Sequence, residues 1–339
     1  PTSRCSSAAS DVYKRQVQCS VTIKQVAEGF ELSQPRYLEQ VSEIGVNATR
    51  RKDRESPLTS REQTALRALL GGLSWHAQQV APHLSAEVSL LLSEISQGSV
   101  QTIIKANTLL HHAKARKDHV MKIRKMMDKD VAMYAWVDAA SQNRMGGGST
   151  QGIFVGAASK ALERGEVCAI SPMSWHSNKI DRACRSPGAA ETQAAVNGED
   201  VLYYARYQWS ELQGHPVDVR DPDKAVRHTH GCLITDSRNV YDKVTTEVLT
   251  IKGAEKRANI ELLGLKESQQ ATALKVRWVH SEAQLANGPT KAGPGKEIEL
   301  YYRMGHKWRI VEDPEMKSAR KRKTEGLEPL ANTPPTVHN

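Results

Sequence analysis

Three acidic residues, Asp138, Glu191 and Asp236, lie where predicted strands end or a predicted helix begins. Carboxylates from separate elements can converge at such points. Two divalent cations about 4 Å apart need several carboxylates to offset their charge, and hard oxygen ligands favour Mg²⁺ or Mn²⁺. The alternative is that all three are ordinary surface or capping acids, which are common at strand and helix ends.

The elements that must position these acids begin near residue 131, where the spacing of apolar residues changes from that of helices to that of strands. Apolar runs predict strands at Val131–Asp138, Thr150–Ala158 and Val167–Trp175, which favours an antiparallel meander. The helix that follows carries Glu191. Beyond it, the pattern predicts a strand at Gly231–Asp236, a helix from Ser237, a helix at Ala254–Lys266, a strand at Ala273–Val279 and a helix near Ser281. This order is typical of a mixed α/β layer domain.

The upstream part of the chain reads as mostly helical. Val21–Ile23 predicts a short strand, and Pro35 lies near the first turn of a helix. Thr59 with Glu62 marks another helix start, followed by leucines at helical spacing. Residues 113–130 are strongly basic and predict the end of a helix plus a connector.

Composition favours polyanionic partners, and it argues against a cysteine-based metal site and a membrane-spanning protein. The 339 residues carry a formal net charge of +9, and lysine and arginine raise encounter rates with phosphate. The five cysteines form no CxxC pair and no metal-binding spacing, so we interpret them as reduced thiols. No run of 18 or more apolar residues occurs, so we expect no membrane span.

The first 16 residues look foreign to the rest of the chain. Their string Asp11–Gln16 resembles the translation of a sequencing-library adapter. We therefore exclude residues 1–16 from the fold prediction as an adapter-derived, disordered segment, and expect the chain to be a fragment of a longer protein.

Five further motifs occur in a fixed order: Ala135–Ala140 with Gly148–Gly152, Ser174–Lys179, Arg185–Ala194, Thr235–Ser237, and Val276–His280 with Gln284–Lys291. Together they resemble the RNase H domain of copia-type LTR retrotransposon Pol polyproteins. The upstream stretches Leu32–Tyr37 and Leu69–Trp75 resemble the region that follows the reverse transcriptase active site. The resemblance spans roughly residues 20–295.

The resemblance implies a fold and a set of domain bounds. The expected fold is α/β, an RNase H-like mixed five-stranded sheet flanked by helices, preceded by a small, mostly helical reverse-transcriptase thumb or connection remnant. The implied bounds are 17–130 for the reverse transcriptase C-terminal segment, 131–295 for the RNase H-like domain and 296–339 for a basic, largely disordered tail.

The resemblance also implies a reaction: metal-dependent cleavage of RNA in RNA–DNA hybrids, with two Mg²⁺ or Mn²⁺ ions held by Asp138, Glu191, Asp236 and, weakly, Asn287. His280, near the presumed metal site, would assist proton transfer or product release, unless it is only a solvated loop histidine. The implied partners are an RNA–DNA hybrid and the upstream reverse transcriptase portion, with no membrane. The implied location is cytoplasmic or nuclear, within a retroelement particle.

Four departures from the family pattern bear on activity. In the closing motif, Asn287 replaces the fourth acid and Pro289 replaces the leucine. After the first strand, the acidic pair of the family is reduced to Asp138 followed by Ala139–Ala140. Before the glutamate, the Ser/Thr-rich approach of the family has become Ser186–Ala189, which keeps one serine. No Tyr-x-Asp-Asp motif occurs, so polymerase activity is not expected. The alternatives are a catalytically inactive nucleic-acid-binding retroelement remnant and, less in keeping with the acid spacing, a transposase or integrase of the same superfamily.

Overall fold

The computed structural model describes residues 15–247, 256–293 and 295–327. They form two compact units, one up to Lys125 and one from Met126. Of the residues interpreted as foreign, 1–14 lie outside the described part, whereas Arg15 and Gln16 pair in a strand with Lys24 and Ile23.

The first unit combines a small antiparallel sheet with helices. Its strands are β1 (Arg15–Gln18), β2 (Val21–Val26), β3 (Gly29–Ser33) and β4 (Met121–Arg124), in that order across the sheet. Its helices are α1 (Pro35–Gln40), α2 (Ala48–Lys52), α3 (Ser60–Val80), α4 (Ser85–Glu94) and α5 (Val100–Ala115). Thr59 and Glu62 form the capping box that begins α3, because each side chain bonds the backbone N–H of the other. Leucines of α3 and α5 fill the core.

The second unit is built around a six-stranded mixed sheet. It begins with three antiparallel strands, β5 (Val131–Ala140), β6 (Thr150–Ser159) and β7 (Cys168–Lys179), as the apolar runs predict. Two further strands, β8 (His230–Thr235) and β9 (Lys275–Trp278), join the other side of β5 in parallel. The order across the sheet is β10-β7-β6-β5-β8-β9, where β10 is the two-residue strand Lys307–Trp308.

Helices cover this sheet. They are α6 (Pro187–Leu212), α7 (Pro222–Arg227), α8 (Arg238–Thr245), α9 (Lys256–Thr272), α10 (Asn287–Thr290), α11 (Lys296–Arg303) and α12 (Ala319–Thr324). The core between α6 and the central strands contains Val137, Leu202 and Leu233. The long helix α6 is thereby held against β5 and β8. Near Ser281, where a helix was predicted, the chain makes a short 3₁₀ turn, Ser281–Ala283.

Residues 296–308 differ from the predicted disordered tail. They form α11 and β10, and Ile298, Tyr301 and Trp308 are fully buried. The Tyr301 hydroxyl donates to the carbonyl of Ile170 at 2.7 Å, and the Trp308 indole N–H donates to the carbonyl of Ala283 at 3.0 Å. A few large apolar residues spaced among charges are enough to close the outer edge of the sheet.

Within residues 15–247, 256–293 and 295–327, no helix has the length and apolar character needed to cross a membrane.

Candidate active site

Two of the three predicted acids are brought together by parallel strand pairing. Strands β5 and β8 run in parallel with Val137 opposite Thr235. The residue that follows each member of this pair is an acid: Asp138, on β5, and Asp236, just after β8. Since parallel strands end at the same edge of a sheet, the two carboxylates lie side by side there.

The third acid arrives from the first turns of α6. Ser186 caps this helix by accepting a hydrogen bond from the backbone N–H of Ala189 at 3.0 Å, and Pro187 occupies the first turn, where its missing N–H costs nothing. The helix packs its Ala190 and Ala194 inward, and Glu191 faces the end of the sheet rather than open solvent. The departure at Pro187–Gly188 therefore leaves a well-formed helix start.

Asp138, Glu191 and Asp236 converge on one spot. Each offers a carboxylate oxygen, and these oxygens lie within 4.8 Å of one another. Asp138 is buried, while Glu191 and Asp236 are partly buried. In the part of the chain that the structure describes, this is the one group of three or more acidic, histidine or cysteine side chains close enough to hold a metal ion.

The close approach of three acids in a desolvated place disfavours their charged forms. Burial raises the pKa of Asp138, although the nearby Lys291 ammonium opposes the rise. Burial, followed by the charges of Asp138 and Asp236, raises the pKa of Glu191 well above its usual value. Burial and the charge of Asp138 raise the pKa of Asp236 to about 7. A bound cation would relieve the repulsion among these carboxylates and favour their charged forms.

The closing motif delivers a lysine and an amide to this cluster. Residues 286–290 approach β6 at Gly152, the residue opposite Asp138, so closely that a Cβ there would lie 2.0 Å from the Thr290 hydroxyl. Only glycine leaves room for this approach. As a result the Lys291 Nζ lies 3.2 Å from Oδ2 of Asp138 and also donates to Oδ1 of Asn287. Asn287 therefore borders the cluster with its amide oxygen turned toward Lys291.

Gln284, which the sequence reasoning did not single out as a site residue, ties the two strand ends together. Its Nε2 donates to the carbonyl of Val137 at 3.0 Å, and its side chain also hydrogen bonds with Asp236. Its Oε1 accepts from the backbone N–H of Ala286 at 3.2 Å. Both ends of the amide are thus engaged, which fixes Asp236 relative to β5. The residue stands three positions before Asn287 in the closing motif, and that position was its only signal.

His280 lies after β9, and its side chain is fully buried. Its Nδ1 accepts from the backbone N–H of Glu282 at 3.3 Å, and its ring meets that of Trp278 edge to face at 6.4 Å between centroids. Burial lowers the pKa of His280, against the opposing charge of Glu282. The contacts described for this ring are thus within its own loop and strand, not with the three carboxylates.

The donor set fits a hard divalent cation. Oε2 of Glu191 is buried without a hydrogen-bond partner, which is a costly state for a carboxylate oxygen unless a cation or proton satisfies it. The ligand atoms are all carboxylate oxygens, the type that Mg²⁺ and Mn²⁺ prefer.

Comparison with known proteins finds no matching protein-family model and no match among curated proteins. Among solved structures, the chain is similar to RNase H1 from the halophilic archaeon Halobacterium salinarum NRC-1, with 14% identity over 50% of this chain and 98% of that one and a TM-score of 0.30. It is also similar to LC11-RNase H1, isolated from compost and solved in complex with an RNA/DNA hybrid, with 12% identity, 49% and 99% coverage and a TM-score of 0.31.

A third similar structure is the foamy viral protease-reverse transcriptase in complex with an RNA/DNA hybrid. Its identity to this chain is 11%, the match covers 79% of this chain and 29% of that one, and the TM-score is 0.38. With identities and TM-scores this low, these likenesses carry no argument about function. The strand order itself confirms the mixed α/β sheet flanked by helices that the sequence predicts, and β10 adds a short sixth strand to the five expected.

Proposed function

We propose that this chain is a metal-dependent ribonuclease that cleaves the RNA strand of RNA–DNA hybrids. The observation that carries the proposal is the convergence of Asp138, Glu191 and Asp236 within 4.8 Å at one end of the mixed sheet. Burying three carboxylates together is unfavourable for stability, so a functional role explains their placement better than a structural one.

Asp138, Glu191 and Asp236 would hold two Mg²⁺ or Mn²⁺ ions, with the Asn287 amide oxygen as a weak fourth ligand. When bound, such ions generate the attacking hydroxide and stabilise the leaving 3′ oxygen. The chain's own residues prepare this site: Gln284 fixes Asp236 against the end of β5, and the Lys291 ammonium offsets the charge of Asp138 and bonds the Asn287 amide oxygen when no divalent ion is bound.

The surface offers a place for the nucleic-acid backbone. A cavity of about 710 Å³ lies at the start of α6, the helix that carries Glu191, and its lining includes Arg182, Arg185, Lys256 and Arg257. Arg182 is paired with Glu261 there, which leaves the other three to offset phosphate charge. Basic side chains around a concave surface favour phosphate binding and make it salt dependent. RNA–DNA hybrids would be distinguished from other duplexes by shape and by the 2′-hydroxyls of one strand.

The wider biological role is proposed on the motif resemblance to copia-type elements. In that role the nuclease works in retrotransposon reverse transcription, inside the cell, together with the upstream polymerase portion of the same polyprotein. The first unit, with its helices α3 to α5, would act as a thumb or connection that helps to hold the template-primer duplex.

A cleavage assay on matched substrates tests the proposal. The full chain is incubated with one labelled RNA strand presented as an RNA–DNA hybrid, as an RNA duplex and as a single strand, each with Mg²⁺ and with EDTA. Mg²⁺-dependent cutting of RNA in the hybrid, and much less in the other two, is expected. Cutting that persists in EDTA, or that is equal on all three substrates, would contradict it.

One observation favours the inactive alternative. The Asn287 amide adds no negative charge, and its oxygen is already engaged by Lys291. Under that alternative the chain binds hybrids through its basic surface without cutting them, and the same assay with a binding measurement separates the two functions.

A further inference from the structure

We propose that Glu297 supplies the negative charge that Asn287 lacks, acting through the Asn287 amide as the fourth acid of the carboxylate cluster. This inference rests on the proposed metal-dependent function and extends it to a residue outside the five motifs. Glu297 would be a positioning and charge-balancing residue for the cation site.

Close packing of two short helices brings Glu297 to the site. It lies in the first turn of α11. The helix α11 packs directly on α10, which begins at Asn287. A Cβ added at Gly288 would lie 2.4 Å from the Ile298 side chain, so the helices touch at a point where only glycine fits. Ile298 itself is fully buried and anchors the turn that carries Glu297.

A chain of polar contacts links Glu297 to Asp138. The side chains of Glu297 and Asn287 are hydrogen bonded. The Nδ2 of Asn287 also donates to the carbonyl of Ser281 at 2.9 Å, so its two N–H groups have two acceptors. The Asn287 Oδ1 then accepts from Lys291, whose Nζ lies 3.2 Å from Oδ2 of Asp138. Donors and acceptors alternate along this series of contacts from Glu297 to Asp138, which fixes the orientation of the Asn287 amide.

The balance of charge explains what this series of polar contacts does for the cation site. Asp138, Glu191 and Asp236 carry three negative charges when ionised, and Lys291 offsets one of them. Two divalent ions bring four positive charges, so three carboxylates beside a lysine leave a deficit. Ionised Glu297 brings the carboxylates to four, the number that an aspartate at position 287 would have given. Burial raises the pKa of Glu297, and the hydrogen bond with Asn287 and the charge of Lys291 oppose that rise. The acid is displaced from α10 to the next helix rather than lost.

The simpler explanation of Glu297 is an acid that interacts favourably with the N-terminus of α11. Glu299 lies in the same first turn and offers a matched control for that effect. A helix-terminal role predicts similar losses of stability from both substitutions and no change in metal binding. A role in the carboxylate cluster predicts that only Glu297 affects metal binding.

Mn²⁺ binding by the full chain, followed by electron paramagnetic resonance, tests the inference independently of cleavage. Glu297→Gln should weaken the weaker Mn²⁺ site roughly 10-fold, the usual scale for a group that supports a metal ligand. Glu299→Gln should bind Mn²⁺ like the parent. The double variant Asn287→Asp with Glu297→Gln should recover most of the loss, since it moves the acid back to α10. Circular dichroism confirms that each variant is folded.

Parent-like Mn²⁺ binding by Glu297→Gln, or no recovery in the double variant, would overturn the inference. A parent that binds no Mn²⁺ would overturn it as well. Hybrid cleavage is measured in parallel, because a parent that binds Mn²⁺ with this dependence on Glu297 but never cuts a hybrid would leave the inference standing and would overturn the proposed nuclease function instead.

Discussion

The ammonium nitrogen of Lys291 lies 3.2 Å from Oδ2 of Asp138, so the closing motif places a positive charge directly on the most buried acid of the cluster. Burial alone would lower the pKa of Lys291, but the charges of Asp138 and Asp236 outweigh it and raise that pKa. Lys291 thus stabilises the cluster before a divalent ion binds, and the two kinds of cation compete for the same carboxylates.

Replacement of Lys291 by methionine should separate these two effects. The metal-free variant should lose about 1 kcal/mol of stability, a modest value because the lysine side chain is 52% exposed. Added Mg²⁺ should then raise its melting temperature more than that of the parent, because no ammonium competes. Lys296→Met, at the exposed start of α11, is the control. Equal stabilisation of variant and parent by Mg²⁺ would show that Lys291 and the metal do not share a site.

Asp236→Asn should make the metal-free protein more stable while it removes cleavage. The substitution relieves the repulsion between Asp236 and Asp138 and the burial of a charge, which together raise the pKa of Asp236 to about 7. At pH 8 in EDTA the expected gain is roughly 1–3 kcal/mol. The gain should shrink as the pH falls from about 7 toward 4, where the parent's Asp236 becomes protonated in the folded state. Urea unfolding at several pH values measures it, and a loss of stability at pH 8 would refute the account.

Binding of an RNA–DNA hybrid should depend on salt through the basic cavity at the start of α6. Arg185→Ala with Arg257→Ala removes two exposed cations from its lining. The slope of log affinity against log salt concentration should fall by roughly 1 for each phosphate contact removed. Arg220→Ala, beyond the far end of α6, is the matched control. An unchanged slope in the double variant would place the nucleic acid elsewhere.

The first unit should be sensitive to mild acid. Burial lowers the pKa of His76 and of His119 to about 4, and it lowers the pKa of His83 well below its usual value. The unfolded state binds more protons between pH 6.5 and 4, so stability is lost as the pH falls through that range, roughly 1.4 kcal/mol per pH unit for each histidine. Hydrogen exchange of α3, corrected for the intrinsic effect of pH, should accelerate accordingly, and less so in His76→Gln. Equal acceleration in both proteins would exclude His76 as a cause.

The sequence predicts most of the sheet because each of its longer strands is a recognisable run of apolar residues. The apolar runs around Trp136, Phe154 and Leu233 are continuous, and the first and third of them end at Asp138 and Asp236. The convergence of these two acids follows once β5 and β8 are paired in parallel. The order of the motifs, by its resemblance to copia-type RNase H domains, also predicts a mixed sheet flanked by helices. These features depend on short stretches of chain.

The elements after residue 281 could not be predicted in the same way. The helix α11 is stabilised by the burial of Ile298 and Tyr301 against distant parts of the chain, which no local pattern reveals. Gln284 reaches Val137 and Asp236, and Glu297 reaches Asn287, through side-chain hydrogen bonds whose partners are fixed only by the fold. Sequence periodicity reports which residues are buried, whereas polar contacts of this kind depend on three-dimensional placement.

The most direct test of the central claim is the single-turnover rate of RNA cleavage in an RNA–DNA hybrid, measured against Mg²⁺ concentration for the parent, Asp236→Asn and Asn287→Asp. We expect the parent to cut with 3′-hydroxyl products, Asp236→Asn to show no cutting at any Mg²⁺ concentration, and Asn287→Asp to cut faster or at lower Mg²⁺. An absence of cutting by both the parent and Asn287→Asp, although both bind the hybrid, would contradict the nuclease function and favour an inactive nucleic-acid-binding protein.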